Sequence, residues 1–170
     1  MRLKEDRGPD PSNHSCTGIL FPNVRACQCR IGGHAYAVNQ VGQSPCAAAA
    51  AVKAKGLTSV GLLGTRFTME MDFYRKRLEK DHGLSVLVPD APEREIVHAV
   101  IYDELGRGIV REESRRAYVG IIEGLVRRGA QGVILGCTEI PLLIKEKDSP
   151  VPVFDTTALH AAAAVDFALG

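Results

Sequence analysis

Apolar segments alternate with amphipathic ones along the chain from Cys46 to its last residue. Short apolar runs at 58–65, 84–89, 132–137 and 151–154 have the length and composition of buried strands. The segments between them repeat apolar residues at helical spacing, and several end in glycine or basic residues. This alternation predicts an α/β fold around a parallel sheet, formed by residues 46–170.

Helices are predicted between and after these strands. Their ranges are 46–55, 66–82, 92–105, 111–128, 139–147 and 155–170, and Asp155 or Thr156 is expected to cap the last one. The predicted inward faces of the second to fourth helices comprise Phe67, Met71, Tyr74 and Leu78; Ile96, Val97, Val100, Ile101 and Leu105; and Tyr118, Ile121, Ile122 and Leu125.

Residues 1–45 differ in composition from the rest of the chain. They are rich in Gly, Pro, Cys, Asn and Ser, and neither strand nor helix periodicity persists in them, so little regular structure is expected. His14, Cys16, Cys27 and Cys29 could be imagined as zinc ligands. Their spacing does not form the close pairs on tight turns that zinc sites usually use, so no metal site is predicted.

Charge and hydropathy narrow the range of partners. The net charge is +1, and basic residues are scattered among acidic ones, which predicts no binding of nucleic acid or of an anionic membrane. No apolar run is long enough to cross a bilayer, and no signal-peptide core follows the charged first residues. We therefore expect a cytoplasmic protein that acts on small molecules or proteins.

Polar side chains follow several of the predicted strands at the point where each strand ends. Thr65, Cys137, Thr138 and Asp155 lie at or just past such ends. Right-handed crossovers place these ends along one edge of a parallel sheet, the edge at which open α/β sheets bind ligands. These four residues are therefore candidates for one shared site.

Cys137 is the most reactive of the candidates. At a helix start it would face unpaired backbone N–H groups, which favour a thiolate able to act as a base or nucleophile. The alternative is a small buried apolar residue. Gly136 would allow another molecule to approach the backbone, and Thr138 and Glu139 are polar where a core strand should end in packing, which favours the functional interpretation.

The other candidates have structural alternatives. Glu139 could simply favour a helix start, and Thr65 could cap a helix while also binding an anion. Arg107 could pair with a substrate carboxylate or remain solvated. The GLLGT segment lacks the spacing and the lysine of a phosphate-binding loop, so nucleotide binding is disfavoured.

Four segments resemble the cofactor-independent aspartate/glutamate racemases. They are AAAAVKAKGLTSVGLLGTRFTMEMDFY, IVHAVIYDELGRGIVREES, GAQGVILGCTEIPLLI and PVPVFDTTALHAAAAVDFALG, which together extend over most of residues 47–170. GCTE preceded by LLGT at this distance is a fairly specific combination. Glutamate racemases proper tend to have histidine where this chain has Glu139, so the resemblance favours the aspartate racemase branch.

The resemblance implies the second, flavodoxin-like lobe of a two-lobed racemase, in which each lobe contributes one cysteine to the cleft. It implies that Cys137 is the acid/base residue, that Thr65, Thr138 and Glu139 hold the substrate, and that no cofactor is used. Aspartate or glutamate is the expected substrate, and a homodimer is an expected assembly.

The family's first lobe carries a GGM-type turn and a CTNT-like cysteine motif, and neither is found in residues 1–45. That segment therefore looks unmatched or truncated, and activity is expected to depend on a group that faces Cys137. The alternatives are a noncatalytic fragment or pseudoenzyme of that family, or a related cysteine-dependent decarboxylase or hydantoin racemase.

Overall fold

The computed structural model describes the backbone of residues 16–20, 25–31, 34–35 and 40–169, and the side chains of residues 45–165 and 169. In the first part, strands β1 (Cys16–Leu20), β2 (Arg25–Ile31) and β3 (His34–Ala35) form an antiparallel sheet. This differs from the expectation of little regular structure, because the segment CTGIL neither alternates apolar with polar residues nor forms a continuous apolar run, and RACQCRI alternates over only part of its length. The predicted boundary after residue 45 remains a prediction.

The predicted parallel sheet is confirmed. Its strands are β4 (Ser59–Leu63), β5 (Ser85–Leu87), β6 (Val133–Leu135) and β7 (Val153–Asp155), in the order β5-β4-β6-β7, and all adjacent pairs are parallel. Leu63 on β4 is in register with Leu135 on β6, which is in register with Asp155 on β7. The carboxyl ends of these three strands therefore lie along one edge.

Helices occupy each of the predicted helical regions. They are α1 (Gln40–Ala54), α2 (Arg66–Glu70), α3 (Asp72–Lys76), α4 (Ala91–Ala99), α5 (Glu112–Arg127), α6 (Ile140–Leu143) and α7 (Thr156–Leu169). Residues Arg77–Asp81 and Val100–Glu104 are π-helical, and Leu105–Arg107 and Glu146–Asp148 form 3₁₀ turns. None of the helices in the described residues is long and apolar enough to cross a membrane.

Two apolar clusters cover the opposite faces of the sheet. Successive residues of β6 alternate between them, so Val133 and Leu135 belong to the cluster with α5 while Ile134 belongs to the cluster with α1. The α5 residues Tyr118, Ile121, Ile122 and Leu125 are all buried, as predicted. A side chain at Gly61 would meet Leu125 Cδ1 at 2.9 Å, so glycine here lets α5 lie close to β4.

Three of the predicted inward positions are wrong. Phe67 is 57% exposed, Met71 51% and Ile96 44%. The predicted helix over 66–82 is broken at Met71, whose backbone is extended (φ −78°, ψ 141°), and this break replaces one continuous face by two short ones. Met69, on α2, is buried instead.

Candidate active site

The ends of β4 and β6 are joined beyond their last paired residues. The Gly136 N–H donates to the Leu63 carbonyl at 2.7 Å, which continues the pairing of the two strands by one residue. The segments that begin at Gly64 and Gly136 therefore leave the sheet side by side. This backbone bond brings the GLLGT and GCTE segments to the same place.

Cys137 lies in a partly buried position at this edge, and its thiol donates a hydrogen bond to Glu139 Oε2 at 2.8 Å. Burial raises the pKa of the Cys137 thiol to about 11, and the hydrogen bond to the Glu139 carboxylate raises it as well. Cys137 is therefore a thiol at neutral pH in this arrangement.

The expectation of a thiolate at Cys137 is thus not met, because burial and the Glu139 carboxylate outweigh the start of the following helix. The helix that follows, α6, begins only at Ile140 and has 4 residues. A helix this short has a small dipole. The backbone N–H groups of Thr138 and Glu139 do lower the pKa of Cys137, as expected from the sequence, but by less than burial raises it. Burial and a neighbouring carboxylate therefore dominate the pKa of Cys137.

Glu139 is the acceptor of this pair. Hydrogen bonds from the side chains of Cys137 and Thr138 lower the pKa of the Glu139 carboxyl, so it is ionised at neutral pH. Thr138 itself is exposed. The three residues of the CTE segment therefore form one hydrogen-bonded group with a fixed negative charge.

Thr65 caps α2, as its structural interpretation predicts. Its hydroxyl oxygen accepts from the Thr68 N–H at 3.4 Å and lies 3.3 Å from Thr68 Oγ1. Asp155 caps α7 in the same way, because its Oδ1 accepts from Thr157 N at 2.9 Å and from Ala158 N at 3.2 Å. Asp155 is therefore at the expected edge, with its carboxylate engaged by its own helix.

Two other sequence interpretations are resolved. Arg107 faces solvent, with its side chain 68% exposed and its guanidinium 3.7 Å from Asp103. Gly136 does not leave open space, because a side chain there would meet Thr68 Cγ2 at 3.0 Å and the Leu63 carbonyl oxygen at 3.1 Å. Glycine at 136 permits close packing of this chain on itself.

The structure also places near the site two residues that the sequence did not indicate as site residues. Tyr118 is buried in α5 and donates to the Val97 carbonyl at 2.9 Å, and burial is the largest cause that raises its pKa. Arg115 donates to the Leu143 carbonyl at the end of α6 and lies 3.1 Å from Asp148. Adjacent arginines such as Arg115 and Arg116 are typical of a solvated surface, so the sequence alone does not indicate this contact.

The potential zinc ligands lie outside the described residues: His14 entirely, and Cys16, Cys27 and Cys29 in their side chains. Within the residues whose side chains are described, no group of three or more His, Cys, Asp and Glu residues is placed to hold a metal ion.

Comparison with known proteins points to one family. The sequence model of the Asp/Glu/Hydantoin racemases matches residues 40–164. A candidate Asp/Glu racemase from Yersinia pestis is 52% identical with a TM-score of 0.73, and an aspartate racemase homologue from Pyrococcus horikoshii OT3 is 38% identical with a TM-score of 0.69. The aspartate racemase of Picrophilus torridus is 28% identical with a TM-score of 0.56.

The chain spans just over half the length of these solved structures. The first two alignments cover 75% of this chain and 56% of the other, and the third covers 73% and 51%. A Pectobacterium carotovorum subsp. carotovorum protein, described as an uncharacterized protein in the pnlA 3' region, is 31% identical over 109 residues, which are 63% of this chain and 71% of that protein.

The family match extends over the whole parallel sheet and includes Thr65, Cys137, Thr138 and Glu139. The chain shares its fold, a parallel sheet covered by helices, with the solved structures. This chain belongs to the Asp/Glu/Hydantoin racemase family.

Proposed function

We propose that this chain provides one half of a cofactor-independent amino-acid racemase site, with Cys137 as the acid/base residue at the α-carbon of aspartate or glutamate. The observation that carries the proposal is the hydrogen-bonded pair of Cys137 and Glu139 at the carboxyl end of β6, beside the segment that carries Thr65. Family membership supports the reaction class.

The reaction needs two groups on opposite faces of the α-carbon. One group takes the α-proton, leaving an electron pair that is delocalised into the substrate carboxylate, and the other returns a proton to the opposite face. Each well-placed acid or base contributes roughly 10² to 10⁴ in rate. In this proposal Cys137 serves one face, and a group opposite it serves the other.

The protonation state of Cys137 determines whether it first donates or accepts a proton. Because its thiol pKa is raised to about 11, Cys137 begins as a proton donor. In the reverse direction it must enter as a thiolate, and a bound substrate that displaces or neutralises Glu139 would favour that form. Glu139, ionised in this arrangement, accordingly keeps the proton on sulfur between turnovers.

The remaining residues would hold the substrate. The developing negative charge needs hydrogen-bond donors, which the hydroxyls of Thr138 and Thr65 and the backbone N–H groups of the two strand-end segments can supply. Thr138 is exposed at the edge, and Thr65 is partly exposed, so both remain accessible to a ligand.

Product analysis in heavy water tests the proposal. Purified protein is incubated with each isomer of aspartate and glutamate and with a substituted hydantoin, and mass spectrometry and chiral chromatography detect deuterium, inversion and loss of carbon dioxide. We expect α-deuterium in an amino acid, abolished by Cys137→Ala and retained in Cys46→Ala, a buried cysteine in α1 that serves as control.

Other outcomes would contradict the proposal in distinct ways. Exchange only in the hydantoin would mean that hydantoins, not amino acids, are the substrates, with the same proton transfer. Hydantoin racemisation is the second candidate function because the family description includes it. Loss of carbon dioxide would indicate a decarboxylase. Absence of any conversion, with a folded chain, would favour a noncatalytic family member.

A further inference from the structure

Thr68 occupies the space between the two strand ends that carry the candidate site. A side chain at Gly64 would meet Thr68 Cβ at 2.8 Å and Cγ2 at 2.9 Å, and one at Gly136 would meet Thr68 Cγ2 at 3.0 Å. Contacts under 3.0 Å are not tolerated without movement, and 3.0 Å is already tight. The Thr68 methyl group therefore fills the gap that the two glycines leave.

The hydroxyl of Thr68 has a separate neighbour. It lies 3.3 Å from the Thr65 hydroxyl, while the Thr68 N–H donates to the same Thr65 oxygen at 3.4 Å. Thr65 is thus held by both the backbone and the side chain of Thr68. The two substituents on one β-carbon contact the GLLGT segment and the GCTE segment at the same time.

We propose that Thr68 is a positioning residue of this site: its methyl group sets the spacing between the strand ends that carry Thr65 and Cys137, and its hydroxyl orients the Thr65 hydroxyl. The catalytic purpose of this positioning rests on the proposed function. The packing of Thr68 against the two segments does not depend on it.

Two substitutions separate the two roles. Thr68→Val keeps the shape and the methyl group but removes the hydroxyl, whereas Thr68→Ser keeps the hydroxyl and removes the methyl group. Thr157→Val is the matched control, because Thr157 is exposed in the first turn of α7. Circular dichroism and cooperative melting establish that each variant is folded.

The first readout needs no catalysis. The rate at which iodoacetamide alkylates Cys137, measured on its peptide by mass spectrometry across pH, reports the pKa of the thiol. We expect the midpoint to fall by about 0.5 pH unit or more in Thr68→Ser, because loss of the methyl group loosens the burial and the Glu139 contact that raise this pKa. Thr68→Val and Thr157→Val should match the wild type.

The second readout uses α-proton exchange. Thr68→Val should raise the KM for the amino acid about tenfold, with a smaller change in kcat, because an unoriented Thr65 hydroxyl binds the substrate less well in every state. Thr68→Ser should lower kcat more than it raises KM, because it moves the sulfur. Retaining the hydroxyl in Thr68→Ser should therefore largely preserve KM, and retaining the methyl group in Thr68→Val should largely preserve kcat.

A double variant provides a test that does not depend on how well Thr68→Ser folds. Gly136→Ala should lower stability, and adding Thr68→Ser should recover part of that loss because it removes Thr68 Cγ2, the nearest of the atoms that the new side chain meets. Strictly additive losses would overturn the packing role.

The positioning claim is also overturned if Thr68→Ser leaves the Cys137 alkylation profile unchanged, or if Thr68→Val shifts it equally. These outcomes are independent of the proposed function. If the wild type exchanges no α-proton, the proposed function fails, while alkylation and the double variant still decide whether Thr68 sets the spacing.

Discussion

The pairing of Cys137 with Glu139 shows how neighbouring residues can reverse a prediction made for one of them. A cysteine before a helix is expected to be acidic, but here a carboxylate 2.8 Å from the sulfur and partial burial both favour the thiol. Whether Cys137 is a thiol or a thiolate depends on the direction of the Glu139 side chain. In the sequence, Glu139 could equally have faced the start of α6.

Glu139→Gln tests this electrostatic control. Removing the negative charge should lower the pKa of the Cys137 thiol from about 11 toward its ordinary value, without reaching it, because burial remains. The pH dependence of Cys137 alkylation measures the change, since only the thiolate reacts. Glu146→Gln, at an exposed position, is the control, and an unchanged or raised midpoint in Glu139→Gln would contradict the account.

Tyr118→Phe tests the buried hydroxyl beside the site. The substitution leaves the Val97 carbonyl without its 2.9 Å donor, which should cost about 1 to 2 kcal/mol in the free energy of unfolding. Urea denaturation measures the loss, and Tyr102→Phe is the control because Tyr102 is 53% exposed. Equal stability of the two variants would show that the Tyr118 hydroxyl does not stabilise the fold.

At the scale of elements, an arginine on α5 fixes the segment that follows the CTE group. The Arg115 guanidinium donates to the last carbonyl of α6 at Leu143 and lies 3.1 Å from Asp148, with its side chain 23% exposed. Its neighbour Arg116 is 76% exposed and lies 4.0 Å from Glu112. The two adjacent arginines therefore have different structural roles.

Arg115→Ala and Arg116→Ala form a matched pair. We expect Arg115→Ala to destabilise the chain by roughly 1 to 3 kcal/mol, because the partly buried Leu143 carbonyl loses its charged donor. Arg116→Ala should change stability by less than about 0.5 kcal/mol, as for most exposed ion pairs. Thermal and urea unfolding provide the comparison, and similar losses in both variants would refute the assignment.

The order of strands and helices could be predicted from periodicity, because β4, β6 and α5 are each uniform over their length. The interruption at Met71 could not, since it depends on the dihedral angles of one residue within a segment whose apolar spacing is helical throughout. The site, too, could be predicted only in part. Strand ends in a parallel sheet identify Thr65 and Cys137, but Thr68 becomes visible only when Gly64 and Gly136 are seen to pack against it.

In the molecule as a whole, the parallel sheet β5-β4-β6-β7 carries Cys137 just beyond the carboxyl end of β6. The solved relatives are longer, and this chain spans 56% of the first two. Inversion requires an acid or base on each face of the substrate, so the identity of the group opposite Cys137 determines whether exchange becomes racemisation. Exchange of the α-proton and inversion of the α-carbon are therefore measured separately.

We propose that Cys137 transfers a proton at the α-carbon of aspartate or glutamate. Proton NMR of each isomer in heavy water measures it directly, as loss of the α-proton signal catalysed by the wild type, by Cys46→Ala and by Cys137→Ala. We expect loss of the signal with the first two proteins and a rate at least about 100-fold lower with Cys137→Ala. Equal rates with wild type and Cys137→Ala, or no loss from any isomer with a folded wild-type chain, would contradict it.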